Sequence, residues 1–217
     1  PAEVIIIHKD CVDITKRLSL KHNATVGTSS NRRKAQLLSL RPDLEFADLR
    51  GNLQTRIQKL RDEKYDAIVL AKAGLTRIEM DLSDFHLEEI SPVEVIPAPA
   101  QGVLAIQIRE TDSDLFDLLQ QLNDKDVAKT IAVERKVLNM FDAGCHAPLG
   151  CYCREKDGKY EAWTSIADTN EDFPDRYYLQ ADTTEGMAEK IFAKYQKDRK
   201  LPSSVFISRD LDKNSYL

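Results

Sequence analysis

The chain has 217 residues, of which 42% are apolar, so it is long enough for one large domain or two smaller domains with their own cores. Its formal net charge of -5 makes nucleic acid an unexpected partner, because binding to a phosphate backbone requires a positive surface. No apolar run approaches the roughly 20 residues of a membrane span, and the first residues lack the basic start of a secretory signal. We therefore expect a cytoplasmic protein that binds neither nucleic acid nor a membrane.

Strand and helix patterns alternate over residues 1–97. Short apolar runs predict four strands, and apolar residues at helical spacing predict two helices. The predicted strands are residues 4–7, 24–26, 44–49 and 65–71, and the predicted helices are residues 31–40 and 53–60. Residues 72–77 follow the last strand, in a third repeat of the strand-turn-helix order. Because strands separated by helices form parallel sheets, we expect an α/β domain built on a parallel-type sheet.

Five arginines lie just after the ends of predicted strands. They are Arg32, Arg33, Arg50, Arg56 and Arg77. Ligands of open parallel sheets bind at the carboxyl ends of the strands, and the arginine fork favours carboxylate or phosphate. Arg32 and Arg33 lie in the first turn of a predicted helix capped by Ser29 or Ser30, where positive side chains oppose the helix dipole. A bound anion would resolve this conflict, but two solvated arginines explain the segment equally well. The sequence therefore predicts an anion cleft, and the absence of a G-x-x-x-x-G-K-[ST] loop counts against a nucleoside triphosphate.

The second half of the chain predicts a different architecture. A bend marked by proline and glycine at 97–102 separates predicted strands at 93–96 and 103–108, and we interpret it as a hinge or domain crossing. The further predicted elements are helices at 112–122 and 127–141, strands at 149–154, 160–167 and 177–182, and a helix at 184–195. The Asp-Gly pair at 157–158 is a strong hairpin signal. We expect a small α+β domain with a three-stranded antiparallel sheet, and another strand at 204–209.

Three of the four cysteines lie close together, at Cys145, Cys151 and Cys153, next to His146. Their spacing is not that of the usual zinc-binding pairs, so we expect reduced thiols and no metal. Cys151 and Cys153 share one face of a predicted strand, which fits burial as small apolar residues. Cys145 follows Gly144 in a loop, where an attachment or nucleophilic thiol and a purely structural cysteine are both open interpretations.

Five motifs follow one another along the chain. They are VGTSSNRR at 26–33, LRGN at 49–52 followed by Thr55 and Arg56, AGLTR at 73–77, PAQG at 99–102 and GCHAP at 144–148. Over residues 2–200 the chain resembles the porphobilinogen deaminases, also called hydroxymethylbilane synthases. The resemblance implies a monomeric, cytoplasmic transferase of tetrapyrrole and haem biosynthesis, which joins four porphobilinogen molecules with loss of ammonia and then releases hydroxymethylbilane.

The resemblance also implies the parts of the site. A dipyrromethane cofactor would be held by a thioether to Cys145, which acts as its tether. The five arginines would bind the carboxylates of the cofactor and of the growing chain. Three further residues would lie near the cofactor: Ser30, Gly74 and Gln101. We therefore expect replacement of Arg32 or Arg33 by alanine to block binding while leaving the fold stable.

The same resemblance implies the domain boundaries. Residues 1–97 correspond to the family's second domain, which is of the solute-binding (type II periplasmic-binding-like) kind. Residues 98–124 correspond to a hinge and a remnant of the first domain, 125–200 to the third, cofactor-tethering domain, and 201–217 to a linker or the start of a next domain. Residues 204–209 weakly resemble the start of uroporphyrinogen-III synthase, which implies a fused or associated partner enzyme.

The sequence departs from the family pattern at several positions. Asn31 stands where leucine is usual, Lys72 where threonine is usual and Ala100 where glycine is frequent. Members of the family have a further segment at the front that contains a catalytic aspartate, so we expect the chain as numbered to bind its ligand but not to turn over. A non-catalytic, carboxylate-binding module of the solute-binding type is the alternative interpretation.

Overall fold

The computed structural model describes residues 1–78, 80–141 and 147–199. The expectations for residues 201–217 and for Cys145 fall outside this part of the chain. The described strands are β1 (Glu3–His8), β2 (Thr25–Gly27), β3 (Glu45–Ala47), β4 (Ala67–Ala71), β5 (Phe85–Ile90), β6 (Leu149–Lys156), β7 (Lys159–Ile166) and β8 (Asp175–Ala181). The described α-helices are α1 (Asn31–Leu40), α2 (Leu53–Arg61), α3 (Lys72–Arg77), α4 (Ser113–Gln120), α5 (Lys125–Met140) and α6 (Met187–Arg199). None of these helices is long and apolar enough to cross a membrane.

The first sheet has five strands in the order β3-β2-β4-β1-β5. β2 is parallel to β3 and to β4, as the alternation of strands and helices predicts. β1 is antiparallel to both of its neighbours, β4 and β5, so the α/β class is confirmed but the sheet is mixed, and the expectation of a parallel sheet is wrong for β1. The reason is that an apolar pattern records which side chains are buried and not which way a strand runs. The first residue of β1 consequently lies beside the carboxyl ends of β2 and β4. β5 runs in the same direction as β2, β3 and β4, and it is a strand that the sequence pattern did not predict.

The first sheet has an apolar core on each face. Ile5 and Ile7 of β1 pack on one face, together with Leu37 of α1. Ile6 packs on the opposite face with Ile57 of α2. Burial on both faces explains why β1 is a continuous apolar run. The strand register pairs Glu3, at the start of β1, with Ala71, at the end of β4.

The second sheet is antiparallel, in the order β6-β7-β8, which confirms the predicted three-stranded sheet. Asp157 and Gly158 join β6 to β7 with φ values of 55° and 74°, the backbone that a two-residue hairpin of the primed type requires. α5 and α6 cover one face of this sheet, where Val137, Cys151 and Ile191 form part of a buried core.

The prediction of strands at 93–96 and 103–108 is wrong. The N–H of Val95 donates to the carbonyl of Ser91 at 3.1 Å, so the first segment is a turn that follows β5. Residues 103–108 belong to neither described sheet, and Leu104 and Ile106 are 74% and 61% exposed. The apolar alternation of this segment is therefore real, but no described strand lies beside it to complete a ladder.

Candidate anion-binding site

The loop after β2 leads directly into α1, and two serines fix its backbone. Ser30 Oγ accepts a hydrogen bond from the N–H of Arg33 at 3.4 Å, so Ser30 is confirmed as the N-cap. Ser29 Oγ donates to the carbonyl of Leu49 at 3.1 Å and accepts from the N–H of the same residue at 3.0 Å. These bonds join the loop after β2 to the loop after β3 and hold the first turn of α1, which contains Arg32 and Arg33.

Arg32 and Arg33 share one buried carboxylate, that of Glu3. Arg32 Nη2 donates to Glu3 Oε1 and Arg33 Nη2 donates to Glu3 Oε2, each at 2.7 Å. The Glu3 side chain has no exposed surface, and those of Arg32 and Arg33 are 6% and 11% exposed. Burial alone would raise the pKa of Glu3, but the charges and hydrogen bonds of the two arginines outweigh it, and the pKa lies below its ordinary value. Glu3 is therefore ionised at neutral pH.

Glu3 is absent from the predicted site because of the direction of β1. In a parallel sheet the first residue of β1 would lie at the opposite edge from the arginines. A signal was nevertheless present in the sequence, since Glu3 stands directly before the four apolar residues of a buried strand. A carboxylate in such a position requires a cation or several hydrogen-bond donors.

Arg32 also contacts the bend that follows the first sheet. Arg32 Nη1 donates to the carbonyl of Ile96 at 2.8 Å, and Arg32 Nη2 donates to Gln101 Oε1 at 3.2 Å. Two buried donors beside these contacts, Arg33 Nε and Gln101 Nε2, have no hydrogen-bond partner among the described residues. Buried donors are normally paired, so these two atoms are exceptions within a site that is otherwise fully hydrogen-bonded around Arg32 and Glu3.

Arg56 is close enough to Arg33 for the two charges to interact. Arg56 Nε donates to the carbonyl of Gly51 at 2.8 Å. Burial lowers the pKa of Arg56, and the charge of Arg33 lowers it further. Three guanidinium groups, those of Arg32, Arg33 and Arg56, thus accompany the single carboxylate of Glu3. We call these four residues the arginine cluster, and its excess of positive charge favours an anionic ligand.

The two remaining predicted arginines make other contacts. Arg77 Nη2 donates to the carbonyl of Gly102 at 2.7 Å. Arg50 is 83% exposed, and its guanidinium is 4.0 Å from the carboxylate of Asp48. The described hydrogen bonds and ion pairs therefore join Arg32 and Arg33 through Glu3 but do not extend to Arg50 or Arg77.

The bend is attached to both parts of the protein. On the side of the first sheet, Gln36 Oε1 accepts from the N–H of Ile96 at 2.7 Å. On the side of the second sheet, the N–H of Cys151 donates to the carbonyl of Pro97 at 2.9 Å. Residues 96–101 therefore contact both the arginine cluster and β6.

A buried carboxylate on α5 adds a further attachment. Glu134 Oε2 accepts from the N–H of Ala100 at 2.6 Å, and Glu134 Oε1 accepts from the N–H of Cys153 at 2.8 Å. Ala100 has a φ of 60°, which is strained for a residue with a Cβ and is held in place by this contact. Burial raises the pKa of Glu134 to about 7, although both backbone donors act in the opposite direction.

The described cysteines of this region are buried, as predicted. Cys151 is 0% exposed and Cys153 is 4% exposed, and burial raises the pKa of both thiols, that of Cys153 to about 12. Both thiols are therefore protonated at neutral pH. Residues 1–78, 80–141 and 147–199 contain no group of three or more histidine, cysteine or acidic side chains that could hold a metal ion. The role of Cys145 as a tether stays a prediction.

The fold and the arginine cluster together define a mixed α/β protein with a basic site at the carboxyl edge of its first sheet. A family model described as porphobilinogen deaminase, dipyromethane cofactor binding domain, matches residues 1–117, more than half of the chain. The chain belongs to the porphobilinogen deaminase family.

Curated relatives agree with the family model. A porphobilinogen deaminase of Fusobacterium nucleatum is 46% identical over 142 residues, which cover 65% of this chain and 47% of the relative. One of Limosilactobacillus reuteri is 40% identical over 154 residues (69% of this chain, 50% of the relative), and one of Bacillus mycoides is 46% identical over 138 residues (64% and 44%). The chain thus spans about half the length of the curated relatives that it matches.

Proposed function

We propose that this chain binds a dipyrromethane cofactor at the arginine cluster and takes part in the porphobilinogen deaminase reaction of tetrapyrrole biosynthesis. In that reaction four porphobilinogen molecules are joined with loss of ammonia. The observation that carries the proposal is the excess of positive charge at the carboxyl edge of the first sheet, with Arg33 Nε and Gln101 Nε2 as unpartnered donors among the described residues. Membership of the family gives this basic site its expected ligand.

The residues present fit such a cofactor. The acetate and propionate side chains of a dipyrromethane are carboxylates, which arginine forks and amide donors bind well. When bound, the cofactor supplies the pyrrole ring to which new units are added. Arg33 and Arg56 would hold the carboxylates, Arg32 would keep the bend and Gln101 in place, and we propose Cys145 as the attachment thiol.

We also propose the finer domain organisation, with residues 1–97 as a solute-binding-type domain, 98–124 as part of another domain of the family and 125–200 as the tethering domain. The exposed apolar side chains support the assignment of 98–124, because isolated large apolar patches on a protein surface usually mark a contact. They include Leu104, Ile106, Phe116, Leu118 and Leu122, which are between 52% and 74% exposed.

The decisive experiment is the mass of the peptide that contains Cys145, measured on protein purified from the cells in which it occurs. We expect a covalent increase that corresponds to a dipyrromethane, together with a coloured product with Ehrlich's aldehyde reagent. The Cys145→Ser variant should lack both the adduct and any consumption of porphobilinogen. An unmodified Cys145 in that protein, with porphobilinogen still consumed by the serine variant, would overturn the proposal.

Replacement of Gly74 by alanine is expected to change stability and ligand affinity in opposite directions. An added Cβ at Gly74 has no heavy atom within 4 Å, so the described packing does not require glycine at this helical position. The Gly74→Ala variant should gain about 0.5 to 1 kcal/mol of stability from the better helix propensity of alanine. We expect it to bind a synthetic dipyrromethane several-fold more weakly, because the methyl group takes up space beside the cofactor. Urea denaturation and calorimetric titration measure the two effects, and equal affinities would show that Gly74 is not near the ligand.

A further inference from the structure

We infer that Glu3 is a positioning residue, which orients the guanidinium groups of Arg32 and Arg33 for an anionic ligand. This inference rests on the proposed function, since it concerns the same site. It adds to that site an acidic residue that would not contact the ligand itself.

The position of the Glu3 carboxylate is set by the sheet. Glu3 is the first residue of β1 and is paired with Ala71 of β4 on one side and with Ile90 of β5 on the other. Its side chain therefore starts from a rigid, central strand rather than from a loop. Each of its two oxygens accepts one hydrogen bond at 2.7 Å, one from Arg32 and one from Arg33.

Sharing one carboxylate between two arginines orients them without neutralising the site. One negative charge stands against the charges of Arg32, Arg33 and nearby Arg56, so the cluster keeps an excess of positive charge. Arginine has a long side chain with many rotamers, and binding that must first order such a side chain is weaker. Glu3 contacts both guanidinium groups and, together with the carbonyl of Ile96 at Arg32 and the carbonyl of Val69 at Arg33, orders them before a ligand binds. Arg33 Nε is left without a partner among the described residues.

The Glu3→Gln variant tests this role, because positioning and simple electrostatics predict opposite results. Removal of a negative charge from a basic site should tighten the binding of an anion if Glu3 acts only through its charge. If Glu3 positions the arginines, the glutamine can accept from only one guanidinium, its amide N–H groups oppose the other, and binding should weaken by about tenfold or more. The probe is a synthetic dipyrromethane with acetate and propionate side chains, titrated calorimetrically into the 217-residue chain carrying Cys145→Ser.

Two further variants complete the design. Glu45→Gln is the matched control, because Glu45 is an exposed glutamate at the start of β3, at the opposite end of the strands from Arg32 and Arg33. The Glu45→Gln variant should bind the dipyrromethane probe with the affinity of the parent chain. Glu3→Asp keeps the charge but is one methylene too short to reach both guanidinium groups. It should also weaken binding, and it decides the question if Glu3→Gln does not fold.

The Nε–H resonances of the arginines give a readout that a merely structural role would not change. In the parent chain we expect separate, slowly exchanging signals for Arg32 and Arg33, and in folded Glu3→Gln we expect at least one of them to be lost by averaging. Native or tighter affinity in both Glu3 variants would overturn the inference while leaving the proposed function intact. No binding of the probe by the parent chain would overturn the carboxylate site and the role of Glu3 together.

Discussion

Replacement of Arg32 by methionine is expected to destabilise the protein by about 3 kcal/mol, because it removes one partner of a buried ion pair. Glu3, which has no exposed surface, would keep only Arg33. The carbonyl of Ile96 and Gln101 Oε1 would each lose the donor that Arg32 provides. The sequence alone predicts that loss of Arg32 leaves the fold stable, and the structure leads us to revise that expectation.

The same replacement at Arg33 should cost less, about 1 to 2 kcal/mol, because Glu3 then keeps the more deeply buried Arg32 as its partner. Arg50→Met is the control, since Arg50 is 83% exposed and its loss should leave stability unchanged. Urea denaturation at pH 7 measures all three variants. Equal stability of Arg32→Met and Arg50→Met would mean that the buried pair contributes nothing to the fold. For Arg33→Met we expect the loss of affinity for the dipyrromethane probe to be the larger effect and the loss of stability to be the smaller one.

Local patterns predict local elements well in this chain. The helix predicted at 31–40 agrees with α1 at both ends, because Ser30 is a good N-cap and the apolar residues that follow have helical spacing. The hairpin between β6 and β7 follows from Asp157 and Gly158, whose backbone can adopt the positive φ values of the turn. The placement of the arginines after strand ends also follows from the sequence, because it depends only on the order of strands and loops.

Long-range relations were less predictable. Strand direction decides whether Glu3 meets the arginines, and no local pattern encodes it, so the acidic member of the cluster was missed. Residues 103–108 have the alternation of a strand, but a strand exists only where a neighbour completes its hydrogen bonds. The unpartnered donors Arg33 Nε and Gln101 Nε2 became visible only when side-chain contacts fixed which donors were already used.

Gly150→Ala is expected to destabilise the attachment of the bend to the second sheet by about 2 to 3 kcal/mol, because it adds a methyl group to a tightly packed site. A Cβ at Gly150 would lie 2.5 Å from the carbonyl oxygen of Ile96 and 3.1 Å from its carbon. Both are backbone atoms in a segment that Arg32 and Gln36 also hold, so they cannot rotate away as a flexible side chain would.

Two measurements locate this effect. Hydrogen exchange of the Cys151 amide should become faster in Gly150→Ala, because that amide donates to the carbonyl of Pro97 beside the clash. The amide of Ile5, in the centre of the first sheet, should keep its protection, since the change does not touch that core. Gly74→Ala is the matched control, because a Cβ there meets no atom within 4 Å. If Gly150→Ala left both stability and the exchange of Cys151 unchanged, the close packing of Gly150 against Ile96 would not contribute to the attachment of the bend.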